Sequence, residues 1–309
     1  MSKVELTLKS VDGYELSLAV FEAKNPKAVI QFIHGMEEYK ERYDAFAEYL
    51  CSKGYTCVTS DLRGHGKSAP LLSHISNKKG DKLIIADQKE IRKYIKRTYD
   101  KELPLYLFGH SMGTIISRVL MQTDGSKYSK VALSGYVNPN PVAGMGKFLT
   151  KCITCFKGPK GHSKFITGLA VGSFNKTIEN PKTPLDWLSY NEENVNKYIA
   201  DPLCGFGPTN GFCYEFLKGM ARLYKKRFLL KIRKDLDIFI ISGEEDPVTN
   251  YGKSVGKLQE MYTKLGVKNV ETKIYKGMRH EILNEDNRQE VYEDIANFFL
   301  KDLDKKNII

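Results

Sequence analysis

The sequence predicts an α/β fold: a mostly parallel eight-stranded sheet with helices on both faces and an inserted helical cap. Short apolar runs alternate with segments of helical periodicity, the rhythm of strands joined by crossover helices. Several of those runs are near-continuously apolar rather than alternating, as strands buried on both faces must be. The rhythm stops after Tyr136 and returns near Thr209. Residues 137–208 therefore read as a cap, and residues 1–136 and 209–309 as the two parts of one core. Ligands bind at the carboxyl ends of the strands in such sheets, and a cap is expected over that edge.

In chain order, residues 4–10 and 14–21 alternate around the turn signal Asp12-Gly13 and make a hairpin. Pro26-Lys27 breaks the pattern, and residues 28–33 are the first strand buried on both faces. A helix over 43–54 stops at Gly54, a strand covers 56–60, and helical spacing of Ile84, Ile85, Ile91, Tyr94 and Ile95 predicts a helix over 83–99. Strand 104–108, a helix from 114 and strand 131–135 close the first half. Within the insert, Asn191 caps a helix reaching Ala200 with Glu192 and Glu193 in its first turn. A helix over 212–228, strand 236–241, helix 251–265, strand 270–275 and helix 288–300 complete the core.

Composition is that of an ordinary globular chain: 309 residues, 41% hydrophobic and 28% charged. No apolar run approaches the ~20 residues of a membrane span, and the amino terminus begins directly in a strand pattern, so a cytoplasmic protein is expected. Of the net charge of +11, much sits where residues 125–178 carry eight lysines and no Asp or Glu, and in a second cluster at residues 222–234. The plain reading is a soluble basic surface; the sharper one is attraction to an anionic lipid headgroup layer. Nucleic acid is not expected, because the first stretch is too apolar and no recognition motif is present. The six cysteines are read as free thiols in a reducing compartment. Cys152 and Cys155 form one C-x-x-C, and a metal on Cys152, Cys155 and His162 would lack a fourth ligand. No cofactor or metal is expected.

The chemistry gathers at Gly109-His110-Ser111-Met112-Gly113. A G-x-S-x-G between a strand and a helix is a nucleophile elbow: the turn strains the serine and holds its hydroxyl clear at the helix amino terminus. A serine hydroxyl needs a base near pKa ~7, and that base needs an orienting carboxylate. Strand 236–241 runs into Glu244-Glu245-Asp246-Pro247, and strand 270–275 runs into Arg279-His280-Glu281. Of the six histidines only His280 follows those acids, as the order Ser, acid, His requires. Asp246 is the expected acid, with Glu244 and Glu245 as competitors. His34 and His65 read as loop braces, His110 as packing under the elbow, and His74 and His162 as surface residues. The oxyanion donors are expected to be the backbone N–H of Met112 and, from the loop after strand 28–33, that of Met36.

Together H-G-x-x-E (34–38), D-x-R-G-H-G-x-S (61–68), G-H-S-M-G (109–113), D-P-V (246–248) and R-H-E (279–281) resemble the monoacylglycerol lipase/lysophospholipase group of α/β-hydrolases. The resemblance spans about residues 14–300, is weakest in the cap, and also favours Asp246 as the acid. It implies the α/β-hydrolase fold, the triad Ser111, Asp246 and His280, and hydrolysis of a single-chain acyl ester. The family's loop usually reads H-G-x-G-E; here Glu37 stands in place of the second glycine. Residues 142–171 mix Met145, Phe148, Leu149, Ile153, Phe156, Phe165, Ile166, Leu169 and Val171 with lysines, a composition suited to a lipid interface, an acyl tunnel or plain packing of the cap. Trp187 is expected in the cap core. A peptidase or amidase of the same fold and a non-catalytic binding module are the alternatives; chain length, headgroup and oligomeric state are not legible.

Overall fold

The computed structural model describes residues 2–137, 143–170 and 174–301, and of residues 143–147, 167, 169 and 170 the backbone alone. The strands are β1 (Ser2–Lys9), β2 (Glu15–Glu22), β3 (Ala28–Ile33), β4 (Tyr55–Ser60), β5 (Leu105–His110), β6 (Lys130–Ser134), β7 (Asp237–Gly243) and β8 (Asn269–Tyr275). They form one sheet in the order β1-β2-β4-β3-β5-β6-β7-β8. The opening hairpin and the β2–β4 pair are antiparallel, and every pair from β4 to β8 is parallel. The near-continuous apolar runs β3 and β5 lie side by side at the centre and are buried throughout. Edge strand β1 alternates and is largely exposed.

Helices α1 (Asp44–Ser52), α2 (Gly80–Thr98), α3 (Met112–Thr123), α4 (Ala143–Lys157), α5 (Lys164–Ala170), α6 (Glu192–Ala200), α7 (Asn210–Leu223), α8 (Lys226–Leu229), α9 (Lys253–Lys264) and α10 (Gln289–Leu300) follow. Two apolar layers cover the sheet. One joins its strands to α2, α3 and α9 through residues such as Ile91, Leu120 and Leu258; the other joins them to α1 and α10 through Phe46, Leu50, Ile295 and Phe299. α3 is buried along almost its whole length. The long connection between β6 and β7 holds α4 to α8, and α4 packs on α7, which in turn packs on α2 and α3.

Boundaries depart from the sequence pattern where tertiary partners intervene. α2 begins at Gly80, three residues before its expected start, because Glu215 of α7 accepts the Asp81 N–H at 3.1 Å and caps the helix from another element. The helix expected over 212–228 stops at Leu223, and Tyr224 turns to lay its ring 4.9 Å from the buried Arg118 guanidinium. The connection is also more regular than its Pro/Gly pattern suggests: α4 alone runs 15 residues. The α6 cap is as read, with the Asn191 side chain accepting from the Asn194 N–H at 3.0 Å. Of the apolar residues singled out around the connection's first half, Val142 and Val171 lie outside the described residues, as do the side chains of Met145 and Leu169. No helix among the described residues is long and apolar enough to cross a membrane.

The loop over 61–68 is scaffolding. Buried Asp61 accepts the Lys40 N–H at 2.9 Å and the Lys67 N–H at 2.8 Å. Arg63 makes paired hydrogen bonds to Asp87 and Asp12 and stacks on Tyr14. His34 acts as a brace between two loops: Nε2 accepts the Leu62 N–H at 2.9 Å, and Nδ1 lies 2.7 Å from the Gly35 carbonyl. Burial, with His65 beside it, holds His34 far below the usual imidazole range, so it is neutral at pH 7.

Candidate active site

Because β5, β6, β7 and β8 run parallel, the loops leaving β5, β7 and β8 open at one edge. Ser111 stands between β5 and α3 at φ 51° and ψ −119°, a conformation a residue with a Cβ adopts only under strain. Its N–H donates to the Ser134 carbonyl at 2.9 Å, and its carbonyl accepts from the Thr114 N–H and hydroxyl. The elbow can be this tight because Gly113 has no side chain. A Cβ there would overlap the Ile33 carbonyl oxygen and stand 2.8 Å from that of His34. Gly113→Ala is accordingly expected to destabilise the fold by about 1–3 kcal/mol or more, since the obstacle is central-strand backbone that cannot move aside. A denaturant midpoint equal to wild type would contradict this.

Among the three acids that follow β7, the structure brings Asp246 to His280. Its Oδ2 lies 3.0 Å from His280 Nδ1, while Oδ1 accepts the Val248 N–H at 2.8 Å and Ser242 Oγ lies 3.3 Å from Oδ2. Glu244 is exposed, and the Tyr190 hydroxyl donates to Glu245. Burial pulls the His280 imidazole toward its neutral form. The charge and hydrogen bond of Asp246, helped by Glu281 and Glu38, outweigh it and raise the pKa above 6.5. His280 Nε2 is buried and carries no hydrogen bond.

Ser111, His280, Met36 and Met112 line one cavity of about 210 Å³; Asp246 stands behind His280, fully buried. The loop carrying Met36 reaches the serine: a Cβ built at Gly35 would stand 3.1 Å from the Ser111 Cβ. The rest of the wall is mostly apolar and comes partly from the β6–β7 connection, with Phe174, Leu185 and Trp187 among its residues. Trp187 packs with Leu188, Tyr198 and Val248, and its ring also lies 5.2 Å from that of His280. His110 lines the cavity too, its ring 4.8 Å from His280. His162 is exposed, whereas His74 is half-buried rather than on the surface. Among the described residues no group of three or more His, Cys, Asp or Glu is placed to hold a metal ion.

Several supporting residues escaped sequence reasoning. Arg42 bridges Glu38 (3.3 Å) and Glu281 (2.5 Å), tying the loop after β3 to the neighbour of His280, and Asn194 of α6 donates to the same Glu281 at 2.7 Å. Burial opposes the Arg42 charge, yet Glu281 and Glu38 hold its pKa above the ordinary value. Burial lifts Glu38 to about 7 against the pull of Arg42, and its carboxylate accepts the Gly35 N–H at 2.5 Å, fixing the loop beside Ser111. Glu38 and Arg42 stand four apart, an ion-pair spacing that was readable; the link to Glu281, 239 positions away, was not. Buried Glu285 accepts the N–H groups of Arg279, Tyr190 and Asn191 and the Ser189 hydroxyl, binding the His280 loop to the β6–β7 connection. Gly135, at φ 59°, is the floor on which the imidazole rests; a Cβ there would stand 2.8 Å from His280 Cε1.

An elbow serine, a buried Asp–His pair and a parallel sheet carrying both define an α/β-hydrolase. Residues 24–287 match the family model Hydrolase_4, described as serine aminopeptidase, S33, and the chain belongs to that family. It is a hydrolase of the carboxylic-ester type. A thermostable carboxyl esterase from Bacillus coagulans superposes with a TM-score of 0.89 at 30% identity, over 97% of this chain and 98% of that one. A monoglyceride lipase homolog of Monkeypox virus is 26% identical over 84% of each chain. A phospholipase of Bacillus subtilis is 23% identical over 88% of this chain and 95% of its own.

Proposed function

We propose that this chain hydrolyses single-chain acyl esters, of the monoacylglycerol or lysophospholipid kind, through Ser111, His280 and Asp246, with residues 137–208 as a cap over the site. The observation that carries the reading is the strained Ser111 on the same cavity wall as His280, whose Nδ1 is held by Asp246. Ser111 Oγ attacks the ester carbonyl while His280 Nε2 takes its proton. The N–H groups of Met36 and Met112 hold the oxyanion, with the amino terminus of α3 behind the second. The alcohol leaves with the proton from Nε2; water, deprotonated by the same nitrogen, then releases the fatty acid from the acyl-enzyme. The acyl chain would lie against the apolar wall that includes Phe174, Leu185, Phe216 and Val248.

The test is a panel of acyl esters of varied chain length and headgroup, run on wild type and Ser111→Ala, with fluorophosphonate labelling alongside. Failure to label would favour a binding module. The family's description as serine aminopeptidase supports a peptidase as the second reading, and aminoacyl anilides cleaved faster than every ester would establish it.

Contact with an anionic lipid surface belongs to the same reading. Phe148, Phe156 and Phe165 are exposed, Phe156 to 90%, among exposed Lys151, Lys157, Lys160 and Lys164. Wild type is expected to sediment with phosphatidylserine vesicles and Phe156→Ser several-fold less; equal sedimentation of the two would rule out this patch. All six cysteines are free, which supports a reducing, cytoplasmic setting that cell fractionation would check.

A further inference from the structure

Among the described residues, two buried side-chain atoms of the cavity's lining residues carry no hydrogen bond. One is His280 Nε2, which the chemistry uses. The other is Oε1 of Glu37, which it does not. Glu38 is held by the Gly35 N–H, Tyr43 and Arg42, and Glu281 by Arg42, Asn194 and Asn284. The Tyr198 hydroxyl is committed to the Glu37 carbonyl, which also accepts the Gly205 N–H at 3.1 Å.

Glu37 occupies its position at a double disadvantage. Its φ is 59°, the left-handed region that glycine enters freely and a residue with a Cβ does not. The residue is only 7% exposed, and its carboxyl is satisfied in part, by the Gly207 N–H. Glycine would remove both penalties, strain and an incompletely bonded buried acceptor. A carboxyl retained there is explained by a group that enters the cavity and completes its hydrogen bonding.

The surroundings narrow the class of that group. Among the described residues no Lys or Arg lines the cavity, while three glutamates do, so an anionic phosphate headgroup would meet like charge there without a counter-ion. A hydroxyl can donate to a carboxylate and can also accept from a carboxylic acid. Burial, opposed by the Gly207 N–H, lifts the Glu37 carboxyl to about 7, so both forms are populated at neutral pH, and a hydroxyl suits both.

We propose that Glu37 is a specificity-determining residue whose carboxyl hydrogen-bonds a free hydroxyl on the alcohol portion of the ester. This rests on the ester-hydrolase reading above. The experiment compares kcat/KM for glyceryl, n-propyl, 2-aminoethyl and glycerophosphocholine esters of one acyl chain. Wild type is expected to favour the glyceryl over the propyl ester by about tenfold or more. Glu37→Leu abolishes that ratio and Glu37→Gln, which keeps hydrogen-bonding capacity, retains most of it. Glu37→Gly also abolishes it; because glycine suits the backbone, this variant should fold with a Tm a few degrees above wild type, so a misfolded Leu variant does not decide the matter.

A glyceryl preference that survives in both the Gly and Leu variants overturns the proposal, as does a wild type that cleaves both esters equally. Preference for the aminoethyl ester, lost in Glu37→Gln, overturns it in favour of an ammonium. Preference for the glycerophosphocholine ester that survives in both Glu37→Gln and Glu37→Gly overturns it in favour of recognition of the phosphocholine group. A wild type inactive on every ester overturns the underlying reading as well, a result distinct from an active enzyme without preference.

Discussion

Ser111→Ala is expected to lose about a millionfold in kcat on whichever ester the wild type cleaves best, while unfolding at the same denaturant concentration within error. A loss of that size corresponds to about 8 kcal/mol of transition-state stabilisation. On the proposed mechanism it is large because the route through an acyl-enzyme disappears, leaving bound substrate, the oxyanion donors and water. The fold should be indifferent. Ala keeps the same strained φ as Ser, the elbow is held by backbone contacts of Ser111, and its side chain makes no cap hydrogen bond to α3. Residual activity within a hundredfold of wild type, measured with a labelling step to exclude contaminating enzyme, would show that another group performs the attack.

Asp246→Asn is expected to lower kcat by about 10⁴-fold with little change in KM. The carboxylate accepts from Nδ1–H and so directs the lone pair of Nε2 toward the cavity; an amide can present its NH₂ instead and favour the wrong tautomer. The pH profile separates this from a folding defect. On the proposed mechanism the working form of His280 in wild type is neutral, and Asp246 raises its pKa above 6.5. Activity therefore falls as pH drops through that raised value. In the variant the charge that raised it is gone and burial still lowers it, so the acid limb moves to lower pH. An acid limb at the wild-type position in Asp246→Asn would mean that this carboxylate does not face the base.

The elements of the sheet were legible because each strand reports its own surroundings. β3 and β5, read as near-continuous apolar runs, are buried throughout, and β1, read as alternating, lies at an edge. The elbow was legible for the same reason: Ser111, Gly109 and Gly113 lie within five positions, and their constraint is local backbone geometry. The boundary of α2 was not, since Glu215 caps it from 134 positions away. Nor was the break after α7, which depends on Tyr224 meeting Arg118.

From the chain alone came the fold class, the expected order of nucleophile, acid and base, and the unusual glutamate beside Met36, since each is written in short-range pattern or chain order. The folded molecule alone decided that Arg42 joins Glu38 to Glu281, and that Glu37 is buried on the cavity wall with one oxygen unbonded. Those facts depend on distances between residues tens to hundreds of positions apart, and burial and hydrogen bonding act on distance in space, which chain position does not record.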